Sequence, residues 1–383
     1  MRKLVGGLLA LLAAPALCAP APPPLSVDAA HEALLYDLSS GTALYARNPS
    51  ARLLPASMTK AMTTLVAFDL IAAGTLKEND VVTVSPVLSS QWAGLGTSLF
   101  LRPNEKVSVH DLLMGITTAS ANDAAIVLAR HAAGSQERWA AWMNATAQGI
   151  GMSGSHFGTP NGWPDQGRTF VTARDLVTLA RVLVERHPDL YRRYIGHPSF
   201  LWRGMTLRNH DPLLGVVTGA DGIKTGHTNE AGFNFLGSVV RGDRRLLLVV
   251  AGAPTPAARA QASRDLVEWG FAEWTLHRVL NAGETVGTAR VQGGAAISVP
   301  LVATRAVSLT LARGAAVPAR PVPGRIVYTG PLKAPIRAGT VVAALLVEQP
   351  GLPIQRVPLS AASNVAPAGV IDRLRNGLIG LWS

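Results

Sequence analysis

Three apolar runs in close succession, residues 222–228, 233–240 and 244–252, constrain the fold more than any other stretch of the chain. The last two are separated only by a turn around Arg241-Gly242-Asp243. That is too short for the crossover parallel strands need, so the three form an antiparallel meander. A helical pattern follows over residues 256–280, with Leu266, Val267, Trp269, Gly270 and Phe271 on it. Near the N-terminus, residues 33–38 and 42–45 flank Ser39-Ser40-Gly41 and read as a hairpin. Residues 55–73 are apolar and dotted with threonine, Pro55 suiting a first turn and Gly74 an end, which predicts one mostly buried helix. Residues 108–150 and 172–187 also read as helical. Hairpin, helices, meander and closing helix make an α+β domain over residues 25–280, an antiparallel sheet flanked by helices.

Beyond Gly283 the chain changes to short β-like runs at 296–302, 307–312, 325–329, 341–347 and 354–359, broken by Gly and Pro. This predicts a small all-β domain over residues 281–365. It holds no evident acid, base and nucleophile set, so it is expected to bind or position rather than catalyse. Residues 366–383 place Val370, Ile371, Leu374, Leu378, Leu381 and Trp382 at helical spacing with Arg373 and Arg375 among them. Two readings stand side by side: an amphipathic anchor on an anionic membrane surface, and a terminal helix docked on its own domain.

At the other end, Arg2-Lys3, an apolar stretch from Leu4 to Leu17 and the small residues Ala16, Cys18 and Ala19 have the three-part layout of a secretory signal peptide over residues 1–19. The stretch is too short to span a bilayer, and the bulky Leu17 argues against a lipid-anchored Cys18. The only cysteine is Cys18, which excludes a disulfide framework and a Cys nucleophile in the folded part. The nine His show no metal-ligand spacing, so no metal and no organic cofactor is expected. The net charge of +11 raises acidic partners, but nowhere do more than two basic residues stand together and aromatics are not interleaved with them. A solvated basic surface, not a nucleic-acid site, follows.

Three short patterns each occur once: Ser57-Met58-Thr59-Lys60, Ser120-Ala121-Asn122 and Lys224-Thr225-Gly226. Residues i and i+3 of a helix share a face, so Ser57 and Lys60 can meet, and a serine hydroxyl needs an adjacent base to attack a carbonyl. An exposed lysine is protonated at neutral pH; desolvation or a second cation lowers its pKa. The apolar helix around Lys60 supplies the first and Lys224 the second. Ser120 and Asn122 stand in a polar break before an apolar run and could also cap a helix. Gly226 lets a substrate backbone come close as an added strand, and Thr225 can bond an anion.

The order of these patterns is that of the serine penicillin-recognising enzymes. Their flanks, residues 55–60, 120–124, 221–228 and 231–234, together with Gly96-Thr97-Ser98-Leu99-Phe100-Leu101, resemble the low-molecular-mass D-alanyl-D-alanine carboxypeptidases of peptidase family S11. The β domain, with Leu332-Lys333-Ala334-Pro335 before Gly339, and the terminal helix are similar to that family's second domain and membrane anchor. The resemblance implies that Ser57 is the acyl-accepting nucleophile, Lys60 its general base, Ser120 a proton relay and Lys224 a fixed positive charge. It further implies that Asn122 bonds a substrate amide, that the N–H groups of Ser57 and His227 form the oxyanion hole, and that Arg259 binds the substrate carboxylate beside Thr225 and Gly226. The expected partners are peptidoglycan stem peptides and β-lactams, with the enzyme exported to the outer face of the cytoplasmic membrane. Asn161-Gly162-Trp163-Pro164 departs from the His-Gly-Leu-like segment common in the family, on a loop that should approach the substrate.

The same motifs leave a murein endopeptidase as an alternative. A β-lactamase is disfavoured by the lack of a Glu-x-x-Leu-Asn-like motif between Ser120 and Lys224 and by the extra β domain. A silent wall-binding scaffold is disfavoured because it has no reason to keep a lysine among apolar residues.

Overall fold

The computed structural model describes residues 20–316, 324–347 and 355–372. The signal-peptide reading of residues 1–19 and residues 373–383 of the expected C-terminal helix fall outside them. The expected hairpin is present as β1 (Glu32–Asp37) and β2 (Thr42–Arg47). The buried helix is α1 (Thr59–Ala72), preceded by a 3-10 turn at Ala56–Met58. The helical stretch after residue 108 is three helices, α2 (Val109–Thr117), α3 (Asn122–Ala133) and α4 (Gln136–Gly149), and the next is α5 (Ala173–Arg186). The meander is β3 (Ala220–Thr228), β4 (Gly232–Arg241) and β5 (Arg244–Ala253), followed by α6 (Pro256–Glu273). Together the strands form one antiparallel sheet of order β2-β1-β5-β4-β3.

Side chains alternate across a strand, and here both faces are covered. Leu34, Leu236, Leu247, Val249 and Ala251 pack toward the helical layer of α1 to α5. Leu35, Phe235, Leu246, Leu248 and Val250 pack toward α6. That double cover explains the nearly unbroken apolar sequence of β4 and β5. Helix α1 is buried at every residue from Thr59 to Phe68, as an almost uniformly apolar helix must be.

The helix expected through Leu280 ends at Glu273. Residues Trp274–Leu280 are a strand that pairs antiparallel with Val307–Ala312, so by pairing they belong with the second set of strands. Of that set, Thr285–Gln292 and Leu332–Lys333 had no counterpart in the sequence reading. A six-stranded sheet runs in the order Gly324–Val327, Val341–Val347, Gln355–Ala361, Ser298–Ala303, Thr285–Gln292, Leu332–Lys333, closing over its own apolar core. The two domains share a buried polar joint. Asp37 accepts from Arg244 Nε at 2.8 Å, the Thr310 hydroxyl lies 2.9 Å from the same carboxylate oxygen, and Arg244 Nη1 donates to the Trp274 carbonyl at 2.7 Å.

Candidate active site

Ser57 does not lie on the long helix itself but in the 3-10 turn before it, where Ala56 adopts φ +47°. The turn still sets Ser57 over the first residues of α1, and Lys60 Nζ stands 2.8 Å from Ser57 Oγ. Lys60 is fully buried and also donates to Asn122 Oδ1 at 2.7 Å and to the Asn161 carbonyl at 2.9 Å. Burial, reinforced by the positive charge of Lys224, holds the Lys60 amine well below the ordinary lysine range, against a smaller opposing effect of Asp123.

Neither Ser120 nor Asn122 caps α3. The N-cap residue is Ala121, with no side-chain cap bond. Ser120 is instead held at φ +61°, a conformation that costs a non-glycine residue energy and is common at functional sites. It is buried beside the cleft, its carbonyl accepting from Thr97 Oγ1 at 2.6 Å. Asn122 is fixed at both ends of its amide, Nδ2 donating to the Leu95 carbonyl at 2.9 Å while Oδ1 receives Lys60. Next to it, the buried Asp123 carboxylate accepts from Ser98 Oγ, Leu99 N and Leu101 N, fastening the 95–101 loop over the site.

Strand β3 is the sheet edge facing α1 and brings in Lys224, Thr225, Gly226 and His227. Gly226, which lines the cleft, also lets two backbones meet. A Cβ there would sit 2.3 Å from the Pro55 carbonyl oxygen and 3.1 Å from Met58 N, so the missing side chain lets the strand press against the turn that carries Ser57. Lys224 is buried, donating to the Thr225 carbonyl at 3.1 Å, and titrates at about 7 through burial first and Arg259 second. The exposed His227 ring stacks on Phe233 with centroids 3.9 Å apart. Arg259, on α6, is buried and donates through Nη2 to the His210 carbonyl at 3.2 Å.

Ser57, Ser120, Asn122, Thr225, Gly226, His227 and Arg259 all line one cleft of about 490 Å³, with Lys60 and Lys224 behind its wall. The structure thus brings together every residue singled out from the sequence. It adds Asn161, whose backbone carbonyl holds Lys60, and Trp163, which lines the cleft and packs edge-on against Trp92 at 5.8 Å. It also adds the His210-Asp211 turn beside Arg259. A backbone acceptor leaves no mark in sequence, whereas the unusual Asn-Gly-Trp-Pro run did mark that loop.

Residues 19–255 match the family model described as D-alanyl-D-alanine carboxypeptidase, peptidase S11, and residues 274–367 match the C-terminal domain of penicillin-binding protein 5. The chain belongs to the S11 family of serine D-alanyl-D-alanine carboxypeptidases. It is 36% identical to the D-alanyl-D-alanine carboxypeptidase DacD of Salmonella typhimurium over 76% of each chain. It is 32% identical to DacA of Haemophilus influenzae over 90% of this chain and 88% of that one. Among solved structures, penicillin-binding protein 5 of Haemophilus influenzae superposes with a TM-score of 0.77 at 31% identity, covering 90% of this chain and 99% of that one. Penicillin-binding protein D2 of Listeria monocytogenes in its ampicillin-bound form superposes at 0.58 and 30% identity, covering 63% of this chain and 98% of that one. This S11 member is a serine-type peptidase whose reaction is D-alanyl-D-alanine carboxypeptidation.

Proposed function

We propose that this S11 enzyme removes the terminal D-alanine of peptidoglycan stem peptides through an acyl-enzyme on Ser57, and that β-lactams acylate the same oxygen. The observation that carries this reading is the hydrogen-bond set of Lys60. A protonated amine donates three bonds and finds three acceptors, Ser57 Oγ, Asn122 Oδ1 and the Asn161 carbonyl. A neutral amine donates two and accepts one. Neither amide oxygen can donate, so the only bond able to reverse is the one to serine. Deprotonating Lys60 therefore turns the Ser57 hydroxyl proton toward Nζ, which is the arrangement for general-base activation.

In the first step Ser57 Oγ attacks the penultimate D-Ala carbonyl carbon and its proton passes to Lys60. The N–H groups of Ser57 and His227 take up the charge developing on the carbonyl oxygen, where one donor is typically worth about 100-fold in rate or more. Ser120 passes a proton to the departing D-Ala nitrogen as the C–N bond breaks. Asn122 bonds the substrate amide. The substrate carboxylate lies toward Thr225 and Arg259, and Lys224 keeps that end of the cleft positive. Water then attacks the ester and frees Ser57.

We further propose that the protein is exported, by the signal-like residues 1–19, and touches an anionic membrane surface through its C-terminal residues. The high exposure of Val370 and Ile371, at 76% and 82%, supports the second point. No helix among the described residues is long and apolar enough to cross a membrane. The test is the intact mass of wild type and Ser57→Ala after penicillin, beside D-Ala release from a D-Ala-D-Ala peptide and from cross-linked muropeptide. A lasting adduct that needs Ser57, with D-Ala release, is expected. Cleavage confined to the cross-linked substrate would make the enzyme an endopeptidase, and absence of an adduct would refute the mechanism.

A further inference from the structure

One buried acid near the cleft has no part in the mechanism above. Asp211 follows His210, which lines the cleft beside Arg259. The Asp211 carboxylate organises its own turn, Oδ1 accepting from Leu213 N at 2.8 Å and Leu214 N at 3.3 Å, while its N–H donates to Asn209 Oδ1 at 3.0 Å. That turn presents the His210 carbonyl to Arg259. The other carboxylate oxygen, Oδ2, is buried with no hydrogen-bond partner among the described residues, and so is Arg259 Nε.

We propose that Asp211 is a positioning residue for the two buried cations of the cleft, holding Arg259 through the His210 turn and supplying the counter-charge for Lys224 and Arg259. This rests on the proposed function, in which both cations act on the substrate. Burying an unpaired cation is costly, and two lie together here. The charged and titratable groups that interact with Asp211 are Arg259 from α6, Lys224 and Asp221 from β3, and Tyr191 from the helix Pro188–Tyr194, while His210, next to it in the turn, feels Lys224 and Arg259. Among them Asp211 raises the affinity of both Lys224 and Arg259 for their protons, while burial pushes its own carboxyl up to about 6. Its influence continues through Lys224, whose charge depresses Lys60.

The experiment is the pH dependence of kcat/KM for D-Ala release, and of the second-order rate of penicillin acylation, in wild type, Asp211→Asn, Asp211→Ser and Asp211→Glu. Asn and Ser keep an acceptor for the Leu213 and Leu214 amides and remove the charge. With the counter-charge gone, Lys224 loses its proton more easily, so the basic limb should move to lower pH by about one unit. Glu should keep the limb near its wild-type place. A basic limb in Asn and Ser that coincides with wild type, whatever the overall rate, overturns the proposal and leaves Asp211 a turn-former. A wild-type protein without a Ser57 adduct would instead sink the proposed function.

Discussion

Replacing Gly226 by alanine tests whether the site depends on close contact between two backbones. The added Cβ would lie 2.3 Å from the Pro55 carbonyl oxygen, and ordinary contact begins at about 3.4 Å, so about 1 Å of separation must open between β3 and the Ser57 turn. Both colliding atoms are backbone and cannot swing aside as a side chain would. The displaced strand carries Lys224, Thr225 and His227, and the displaced turn carries Ser57. A misplacement of about 1 Å in a positioned reaction costs about 100-fold in rate, close to 2.7 kcal/mol. The same overpacking should lower stability by about 1–3 kcal/mol. The assay is the second-order rate of Ser57 acylation by penicillin, followed by intact mass, beside urea unfolding. Acylation within about threefold of wild type with unchanged stability would refute the reasoning, and would return Gly226 to the role of admitting substrate.

The joint between the domains gives a second test. Arg244→Met leaves Asp37 buried without its cation and should cost about 3–5 kcal/mol in urea unfolding, and a near-neutral result would mean that Thr310 and the Ser39 and Ser40 amides satisfy Asp37 alone. A third concerns pH. Lys224 titrates at about 7 in the fold against an ordinary 10.5, so between those values the unfolded chain holds a proton that the fold has released. Stability must therefore rise as pH climbs from about 7 toward 10.5, and Lys60, also depressed, adds in the same direction. Urea unfolding at pH 7 and pH 9 should show a rise that is smaller in Lys224→Met; an equal rise would mean that Lys224 is not the group responsible.

Much of the site was legible because its chemistry needs particular side chains at fixed spacing. Ser57 and Lys60 are three apart whether the turn is α or 3-10, so the sequence reading survived a wrong local helix type. The meander was legible because connections of only three and two residues between apolar runs allow few alternatives. Other features carried no signal. The switch from helix to strand at Glu273-Trp274 has no Gly or Pro at the break, and aromatic residues continue across it, so the helical pattern ran on to Leu280. Strand Thr285–Gln292 is half exposed and contains Gly287, which weakens its apolar alternation. The Asn161 carbonyl and the Asp211 carboxylate act through tertiary position, one as a backbone atom and one from a turn that reads as a plain loop.

The glycines around Ser57 share one physical cause. Gly162 stands at φ +76°, and a Cβ there would fall 1.8 Å from the Ala56 carbonyl oxygen and 2.7 Å from Thr59 Oγ1. Gly226 meets the same turn at Pro55 from the sheet side. The Ser57 turn is therefore clamped between the 161–164 loop and β3, with no side chain between backbone and backbone on either flank. The clamp delivers the Asn161 carbonyl to Lys60 from one side and the Lys224 charge from the other. A nucleophile made basic by a neighbouring amine needs that amine to be both dry and held in one orientation. Side-chain packing alone supplies the dryness, but orientation requires acceptors that cannot move, and a backbone carbonyl wedged by a glycine contact is one. The Asn122 amide, tied at its other end to Leu95, is the second. Ser57 is left as the only partner of Lys60 free to turn, so the freedom needed for proton transfer is confined to the atom that reacts.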